Sequence, residues 1–219
     1  MEKPLTITAI CGWALPSEWF YGLIENRFPE AKIKILTPCQ PRDSQEAEHL
    51  LKSARANLYI GYSLGSLWLM TYQEMLPQAS VKAVLAPVLA FVRERNRGGK
   101  TSRTQLKYLI RKLKRNPQDP SPLLEFYSTA GIQFPEVLLK NIPEHQILLN
   151  GLEFLQNARV PQIDDQRFVA VVGENDGFLD GDELKRHLPQ LDIVRNTGHE
   201  PGPLLNRLAE ILGLESNGQ

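Results

Sequence analysis

The sequence has little cysteine, no long apolar run and no excess of charge of either sign. Only two cysteines occur, Cys11 and Cys39, and neither lies in a spacing typical of metal ligands. Two isolated cysteines exclude a disulfide-stabilised scaffold. No apolar segment approaches the length of a membrane-spanning helix, and Met1 to Ile10 lack the apolar core of a signal peptide. We therefore expect a soluble, cytoplasmic protein.

The formal net charge is zero, because 25 basic and 25 acidic residues balance. A molecule without net charge has no overall attraction to nucleic acid or to a membrane surface, so we expect neither as a partner. The hydrophobic share of 42% is that of an ordinary globular protein, and 219 residues fit one domain with a sizeable core. We expect a single domain over 1–219, present as a monomer.

Short β-rich segments alternate with helical patterns along most of the chain. The predicted strands are Leu5–Ile10, Ala31–Leu36, Leu58–Ile60, Val81–Ala86, Arg167–Val172 and Leu191–Arg195. Strands that alternate with helices predict an α/β fold with a parallel, doubly wound sheet. Between 91 and 160 the apolar residues recur at helical spacing, as from Leu106 to Leu113. We therefore expect a core of 1–90 and 161–219, with a helical lid over 91–160 inserted after the fourth strand.

One segment has the pattern of a catalytic serine: Gly61-Tyr62-Ser63-Leu64-Gly65, with a predicted strand before it and an apolar helical pattern after it. In this context the serine of G-x-S-x-G stands on a strained turn with its hydroxyl above the sheet. The glycines leave room where strand and helix nearly touch, and the helix N-terminus favours a developing negative charge. The pattern predicts Ser63 as a nucleophile. An ordinary turn with a solvated serine is the alternative.

A serine nucleophile needs a base within hydrogen-bond reach and a group that orients this base. Of the four histidines, only His199 directly follows a predicted strand, so it lies at the same edge of the sheet as Ser63. Asp176 follows the fifth strand in a loop next to glycine, and Glu174 is a weaker candidate on the same loop. We predict a Ser63–His199–Asp176 triad, in the chain order of the α/β-hydrolases.

The oxyanion hole is expected from two backbone amides. One is that of Leu64, the residue after the nucleophile, and the other comes from the loop after the first strand, where Trp13 is the candidate. The Trp13 indole is free to pack in the core or the pocket wall. Neither a cofactor nor a metal is expected, because 176–183 lacks the ligand spacing of a calcium loop. Asp180 and Asp182 are predicted to cap the following helix.

Four segments together resemble the pimeloyl-acyl carrier protein methyl ester esterases of biotin synthesis, members of the α/β-hydrolase superfamily. They are Cys11-Gly12-Trp13-Ala14-Leu15, Gly61-Tyr62-Ser63-Leu64-Gly65, Leu149-Asn150-Gly151-Leu152-Glu153-Phe154-Leu155 and Gly173-x-x-Asp176-Gly177. The resemblance extends from Ile10 to the last helix. It implies a serine carboxylesterase that removes a methyl group from a dicarboxylic acyl chain held on acyl carrier protein.

The resemblance also implies roles for individual residues. Its triad and oxyanion positions fall on Ser63, Asp176, His199, Trp13 and Leu64. A family segment that lines the acyl channel matches Leu124, Phe126, Tyr127 and Ser128, for which core packing is the alternative. The sequence departs from the family pattern in that Cys11 replaces a histidine and Ser66 replaces a second glycine after the elbow. The usual two N-terminal strands are missing, so we expect about six strands, all parallel.

Basic residues cluster at the start of the predicted lid, with Glu94 as the only acid between Arg93 and Arg115. This basic cluster consists of Arg93, Arg95, Arg97, Lys100, Arg103, Lys107, Arg111, Lys112, Lys114 and Arg115. Acyl carrier protein is strongly acidic, so the cluster would steer it towards the site. We assign partner contact to Lys107, Arg111, Lys112, Lys114 and Arg115. A merely solvated face is the alternative.

The expected function is therefore hydrolysis of the methyl ester of pimeloyl-acyl carrier protein through an acyl-enzyme. Two alternatives stay open at this point. One is a general carboxylesterase for small esters, without preference for a carrier. The other is a hydrolase-fold binding protein that no longer turns over substrate, against which the complete triad argues.

Overall fold

The computed structural model describes residues 4–133, 135–160 and 167–214. Within these ranges the strands are β1 (Thr6–Ile10), β2 (Lys32–Leu36), β3 (Leu58–Tyr62), β4 (Val81–Leu85), β5 (Val169–Gly173) and β6 (Asp192–Val194). The α-helices there are α1 (Ser17–Arg27), α2 (Ser44–Ser53), α3 (Leu64–Thr71), α4 (Arg103–Arg115), α5 (Ser121–Thr129), α6 (His145–Asn157), α7 (Gly181–Lys185) and α8 (Pro201–Ile211). Strands and helices alternate on both sides of a helical stretch, as the sequence predicts.

The strands form one sheet with the order β2-β1-β3-β4-β5-β6, and every neighbouring pair is parallel. This confirms the prediction of a parallel sheet of about six strands. The chain runs one way from β1 to β2 and the other way from β3 to β6, so its direction reverses between β1 and β3. Open α/β sheets bind ligands at such a switch point, outside the carboxyl ends of the strands. The loops after β1 and β3 therefore flank the expected site.

The central strands are buried because helices cover both faces of the sheet. Right-handed crossovers that leave the switch point in opposite directions put α1 and α3 on opposite faces. Helices α1 and α8 pack together, and α3 contacts β1, β3 and β4. Strand β3 is buried along its whole length, whereas the edge strand β2 exposes Lys32 and Lys34. An unbroken apolar run such as that of β3 is typical of a parallel strand covered on both faces.

Three helices, α4 to α6, lie between β4 and β5 in a segment that we term the helical insertion, residues 91–160. Helix α4 begins with a capping box, in which the side chains of Ser102 and Gln105 each accept a hydrogen bond from the other residue's amide. Its buried residues are Leu106, Ile110 and Leu113. These side chains belong to the same hydrophobic core as the sheet. The helical content is as predicted, and the behaviour of the insertion as a lid stays a prediction.

The strands differ from their predicted ranges by one or two residues at one or both ends, and β3, β5 and β6 show why. Strand β3 continues past Ile60, because Gly61 and Tyr62 pair with β4. Strand β5 begins at Val169, the first of its residues to pair with β4. Strand β6 shortens to Asp192–Val194, since it lies at the edge of the sheet and pairs with β5 alone. Apolar character indicates a strand, but the pairing partner decides its ends.

Candidate active site

Ser63 occupies the sharp turn between β3 and α3. Its φ of 54° and ψ of −113° lie outside the regions that L-residues prefer, which costs about 1–3 kcal/mol. Both glycines of the motif are needed sterically. A Cβ on Gly61 would lie 2.6 Å from the Gly65 carbonyl oxygen, and a Cβ on Gly65 would overlap the carbonyl of Ile10 at the end of β1. Helix α3 and the strands therefore approach so closely at this turn that positions 61 and 65 have no room for a side chain.

A chain of hydrogen bonds links the three predicted catalytic residues. The Nε2 atom of His199 lies 2.9 Å from Oγ of Ser63, and its Nδ1 atom lies 2.7 Å from Oδ2 of Asp176. A carboxylate can only accept, so Nδ1 carries the proton and donates it to Asp176. In neutral His199 this leaves Nε2 as the acceptor for the Ser63 hydroxyl. The structure therefore brings together Ser63, His199 and Asp176, which lie far apart in the chain.

Asp176 is held in place by its own loop. Its Oδ1 atom accepts hydrogen bonds from the amides of Phe178 at 2.8 Å and Leu179 at 3.0 Å. The Nζ atom of Lys100 donates to its backbone carbonyl at 2.7 Å. With Oδ1 occupied in this way, Oδ2 faces His199. The carboxylate therefore fixes both the orientation and the tautomer of the imidazole.

The weaker candidate acid, Glu174, does not reach His199. Its Oε2 atom accepts a hydrogen bond from the amide of Asn196 at 3.0 Å, which supports the turn after β6. Asp180 accepts from the amide of Glu183 at 3.0 Å and so caps α7, as predicted. Asp182 lies in the first turn of α7 and is not its N-cap. A helix has a single N-cap position, and in α7 Asp180 occupies it, so the prediction for Asp182 is wrong.

Tyr62 holds His199 through a hydrogen bond to its backbone, a role that the sequence prediction missed. Its hydroxyl donates to the His199 carbonyl at 2.8 Å, and the two rings lie 5.5 Å apart. Burial and the nearby charge of Asp176 raise the pKa of Tyr62 well above its usual value, so the hydroxyl stays protonated as a donor. The rings of His199 and Phe178 also meet in a T-shaped arrangement, with 5.1 Å between their centroids. In the sequence, the signal for this role is a tyrosine directly before the predicted nucleophile.

Ser66 is one of the positions at which the sequence departs from the pattern of the family that it resembles. Its side chain links the turn at Ser63 to the loop after β4. Its hydroxyl donates to the Ser63 carbonyl at 2.6 Å and accepts from the amide of Val88 at 2.9 Å. Ser66 is completely buried. A glycine at this position could make neither bond, so the serine adds a connection here.

The two predicted oxyanion donors lie on either side of the switch point. Leu64 begins α3, and Trp13 follows β1. Within the described residues, neither amide donates to a protein acceptor, so both are available to a ligand. The Trp13 indole is buried and donates to the Leu148 carbonyl on α6 at 2.9 Å. Its side chain therefore packs against the insertion, and the oxyanion role of its amide stays a prediction.

Helix α6 packs on the side chains of Trp13 and Leu64. A Cβ on Gly151 would lie 2.8 Å from the Trp13 ring and 3.1 Å from Leu64. The neighbouring Asn150 donates from its side chain to the Cys39 carbonyl at 2.8 Å. The segment that includes Asn150 and Gly151 thus fastens the insertion to the oxyanion side of the site. Burial raises the pKa of the nearby Cys11 thiol far above its usual value, so Cys11 is no rival nucleophile.

A cavity of about 500 Å³ lies between the insertion and the Asp176 loop. Its apolar wall includes Phe91, Leu106, Leu109, Phe126, Leu152, Leu155 and Phe178, and its polar rim includes Lys100, Thr104, Lys112 and Glu125. Phe126 stacks on Phe178 at 4.9 Å and meets the Trp13 ring at 4.7 Å. These rings form an aromatic layer between the cavity and the triad. A second cavity of about 40 Å³ borders Trp13 and Leu64.

The four predicted acyl-channel residues divide into two pairs. Phe126 lines the larger cavity, and Tyr127 is buried with its hydroxyl on the Ala14 carbonyl. Leu124 and Ser128 are exposed and line neither of these two cavities. Residues four apart share one face of a helix, so Leu124 and Ser128 turn outward together. The prediction for this second pair is not supported by the geometry.

Part of the basic cluster is already engaged within the protein. Lys112 pairs with Glu125 and Lys114 pairs with Glu153, each at 3.4 Å. Arg95 and Arg97 donate to the carbonyls of Asn157 and Val160, and Glu94 accepts from the amide of Arg103. Among the described residues, Lys107, Arg111 and Arg115 have no ion-pair partner. These three residues are exposed and lie four positions apart, so they form a stripe along one side of α4.

No helix within residues 4–133, 135–160 and 167–214 is long and apolar enough to cross a membrane. No group of three or more His, Cys, Asp or Glu side chains in them could hold a metal ion.

The parallel sheet, the serine on the turn after β3 and the order Ser63, Asp176, His199 define the α/β-hydrolase fold. The chain adopts this fold, and solved structures share it over nearly its whole length. A lipase-esterase related protein from Clostridium acetobutylicum is similar at 12% identity and a TM-score of 0.63, over 98% of this chain and 96% of that one. An esterase from a Rhodococcus species is similar at 13% identity and a TM-score of 0.56, over 97% and 92%.

The fold does not identify the chemistry by itself. A bottromycin epimerase, in complex with bottromycin A2, is similar at 12% identity and a TM-score of 0.64, over 99% of this chain and 92% of that one. At such identities the likeness concerns the fold alone. No protein-family model matches the sequence, and no curated protein matches it.

Proposed function

We propose that the protein is a serine carboxylesterase that hydrolyses the methyl ester of an acyl chain held on acyl carrier protein, as in pimeloyl-acyl carrier protein. The observation that carries the hydrolase part is the hydrogen-bonded chain from Ser63 through His199 to Asp176, next to two unpaired amides. These are the parts that acyl transfer requires: a nucleophile, an oriented base and donors for the oxyanion.

In the first half-reaction the Nε2 atom of His199 removes the proton of Ser63 as Oγ attacks the ester carbonyl. The carbonyl oxygen becomes an oxyanion and accepts hydrogen bonds from the amides of Trp13 and Leu64. Asp176 stabilises the imidazolium that forms. The imidazolium then gives its proton to the methoxy oxygen, the bond from this oxygen to the carbonyl carbon breaks, and methanol leaves.

In the second half-reaction water attacks the acyl group on Ser63. His199 removes a proton from the water, and the same two amides bind the new oxyanion. The proton returns to Ser63 Oγ as its bond to the acyl carbon breaks. The product is a free carboxylic acid at the end of the acyl chain.

Two features support an acyl chain on a carrier as the substrate. The cavity of about 500 Å³ is largely apolar, and Phe178 in its wall also contacts the ring of His199. Burying methylene groups against such a wall is favourable. The unpaired stripe of Lys107, Arg111 and Arg115 would attract an acidic carrier to the same side of the insertion.

A comparison of two substrates tests the proposal. The first is pimeloyl-acyl carrier protein methyl ester, and the second is a short p-nitrophenyl ester, each with wild type and Ser63→Ala at low and high salt. We expect a strong preference for the carrier substrate, weakened by salt, and loss of both activities in Ser63→Ala. Hydrolysis of the small ester alone, independent of salt, would contradict the proposed carrier substrate and would still agree with a serine esterase. Equal rates for Ser63→Ala and wild type would refute the serine mechanism.

A general carboxylesterase for small esters is the second candidate. It is favoured by the pairing of Lys112 with Glu125 and of Lys114 with Glu153, which removes two cations from the surface offered to a carrier. A binding protein without turnover is the third, and the complete triad argues against it. It would leave Ser63 unlabelled by a serine-reactive phosphonate.

A further inference from the structure

The loop after β1 is held by the helical insertion as well as by the sheet. This oxyanion loop, residues 11–15, carries the Trp13 amide proposed to bind the oxyanion. Within the sheet core, Gly12 packs so closely on Tyr62 that a Cβ would lie 2.7 Å from its ring. From the insertion, the Leu148 carbonyl of α6 accepts from the Trp13 indole. The second bond from the insertion comes from α5.

Tyr127 of α5 makes this second bond. Its hydroxyl donates to the backbone carbonyl of Ala14, and the residue is 2% exposed. The two residues are 113 positions apart, so only the fold brings them together. Burial raises the pKa of the Tyr127 hydroxyl above its ordinary value, which keeps the proton needed for donation.

Ala14 has a backbone conformation that needs external support. Its φ is 62°, in the left-handed region, which a Cβ disfavours. Rotation of Ala14 back to an ordinary conformation would turn the peptide between Trp13 and Ala14, which is joined through the Trp13 Cα to the peptide that carries the Trp13 N–H. The position of this N–H therefore depends on the conformation of Ala14. The bond from Tyr127 fixes the carbonyl on the other side of Ala14. A strained residue next to a ligand-binding amide persists only where the surroundings hold it.

We propose that Tyr127 is a positioning residue for the oxyanion hole: through the Ala14 carbonyl, its hydroxyl keeps the Trp13 amide aimed at the developing oxyanion. This inference rests on the proposed serine-hydrolase function. It gives Tyr127 a role different from lining an acyl channel. It also means that the oxyanion hole is complete only when α5 contacts the oxyanion loop, so the insertion takes part in catalysis without contacting the reacting atoms.

The test uses Tyr127→Phe, which removes the hydroxyl and keeps the ring. The matched control is Tyr21→Phe on the exposed side of α1, where the lost hydroxyl bonds only Glu25. For each variant, kcat and KM are measured across pH with a p-nitrophenyl ester. The rate of Ser63 modification by a fluorophosphonate, whose phosphoryl oxygen occupies the oxyanion hole, is measured in parallel, together with the melting temperature.

For Tyr127→Phe we expect kcat and the modification rate to fall together by about 10- to 100-fold, since small displacements of catalytic groups have effects of this size. KM should stay within about twofold of wild type, because ground-state binding is unchanged. The pH profile should keep its midpoint and lose height, as the base is untouched. Tyr21→Phe should match wild type in every rate.

Each result separates the inference from the function on which it rests. A wild-type rate of modification in Tyr127→Phe would overturn the positioning role, even if the esterase reaction is intact. A lower melting temperature with unchanged kcat would show a purely structural role and would also overturn it. Slower modification in Tyr127→Phe would support the inference even if no ester is turned over. Absence of Ser63 modification in wild type would refute both.

Discussion

At the scale of single residues, the site depends on how the two oxygens of Asp176 are used. Oδ1 is occupied by the amides of Phe178 and Leu179, so only Oδ2 is left for His199. This division sets which imidazole nitrogen carries the proton. The chemistry of Ser63 therefore depends on a carboxylate that it does not touch.

We expect Asp176→Asn to lower kcat by about 10⁴-fold while the protein stays folded. The amide oxygen of the new residue would accept from Phe178 and Leu179, which leaves its N–H₂ group facing Nδ1 of His199. Nδ1 must then accept, so the proton moves to Nε2, which can no longer take the proton of Ser63. Steady-state kinetics with a p-nitrophenyl ester and a circular-dichroism melting curve measure the two effects.

Glu174→Gln is the control for this variant. The side-chain oxygen of the glutamine can still accept from Asn196, so kcat should stay at the wild-type level. A loss in Glu174→Gln comparable to that in Asp176→Asn would mean that the wrong carboxylate has been assigned.

At the scale of secondary-structure elements, the close approach of α6 to Trp13 and Leu64 depends on Gly151, a glycine in mid-helix. Glycine is unfavourable inside helices, so its presence in α6 needs a reason. The reason is steric, because Trp13 and Leu64 fill the space that a side chain would occupy. The Trp13 ring cannot give way easily, since it is buried and bonded to Leu148.

We expect Gly151→Ala to lower the free energy of unfolding by about 1–3 kcal/mol, because the added methyl group must displace the Trp13 ring and the Leu64 side chain. The same substitution at Gly22 in α1, where a Cβ would meet nothing within 4 Å, should instead raise the free energy of unfolding by about 0.5–1 kcal/mol. Urea unfolding of both variants gives the two signs.

Activity adds a second measurement to the same pair. Gly151→Ala should also lower kcat, because the displaced side chains belong to Trp13 and Leu64, whose amides are proposed to bind the oxyanion, whereas Gly22→Ala should leave kcat unchanged. If Gly151→Ala is stabilising, α6 does not pack on Trp13 and Leu64 as described.

At the scale of the whole molecule, the charge is balanced but unevenly distributed. The free cations of α4 lie beyond the carboxyl ends of the strands, on the side of the site. Other exposed cations lie at the opposite edge, where Lys32 begins β2 and Arg55 precedes β3. An acidic partner steered by local charge would distinguish these two sides.

We expect Lys107→Gln with Arg111→Gln to lower kcat/KM for the carrier substrate about tenfold at low salt and to flatten its dependence on ionic strength. Hydrolysis of a small neutral ester should not change. The control, Lys32→Gln with Arg55→Gln, alters the net charge equally and should leave both substrates unaffected. Equal losses in the two double variants would indicate a general effect of net charge and no docking surface on α4.

Much of the fold and the central site could be predicted because the signals are local. Apolar runs bounded by breakers indicate strands, and a serine between two glycines indicates the turn after β3. In a parallel sheet, residues that follow strands all meet at one edge, so Ser63, Asp176 and His199 could be grouped without knowledge of the strand order. The division of Leu124 and Ser128 from Phe126 and Tyr127 could not be predicted, because it depends on which face of α5 meets the core.

The sequence by itself determined the class of sheet, the position of the strained turn and the placement of Ser63, Asp176 and His199 after strands, since each depends on neighbours a few positions away. The tertiary structure alone decided how the helical insertion meets the oxyanion loop. The bonds from Tyr127 to Ala14 and from Trp13 to Leu148 join residues 113 and 135 positions apart. No local pattern records such a pairing, because its partners are selected by the packing of whole helices against the sheet.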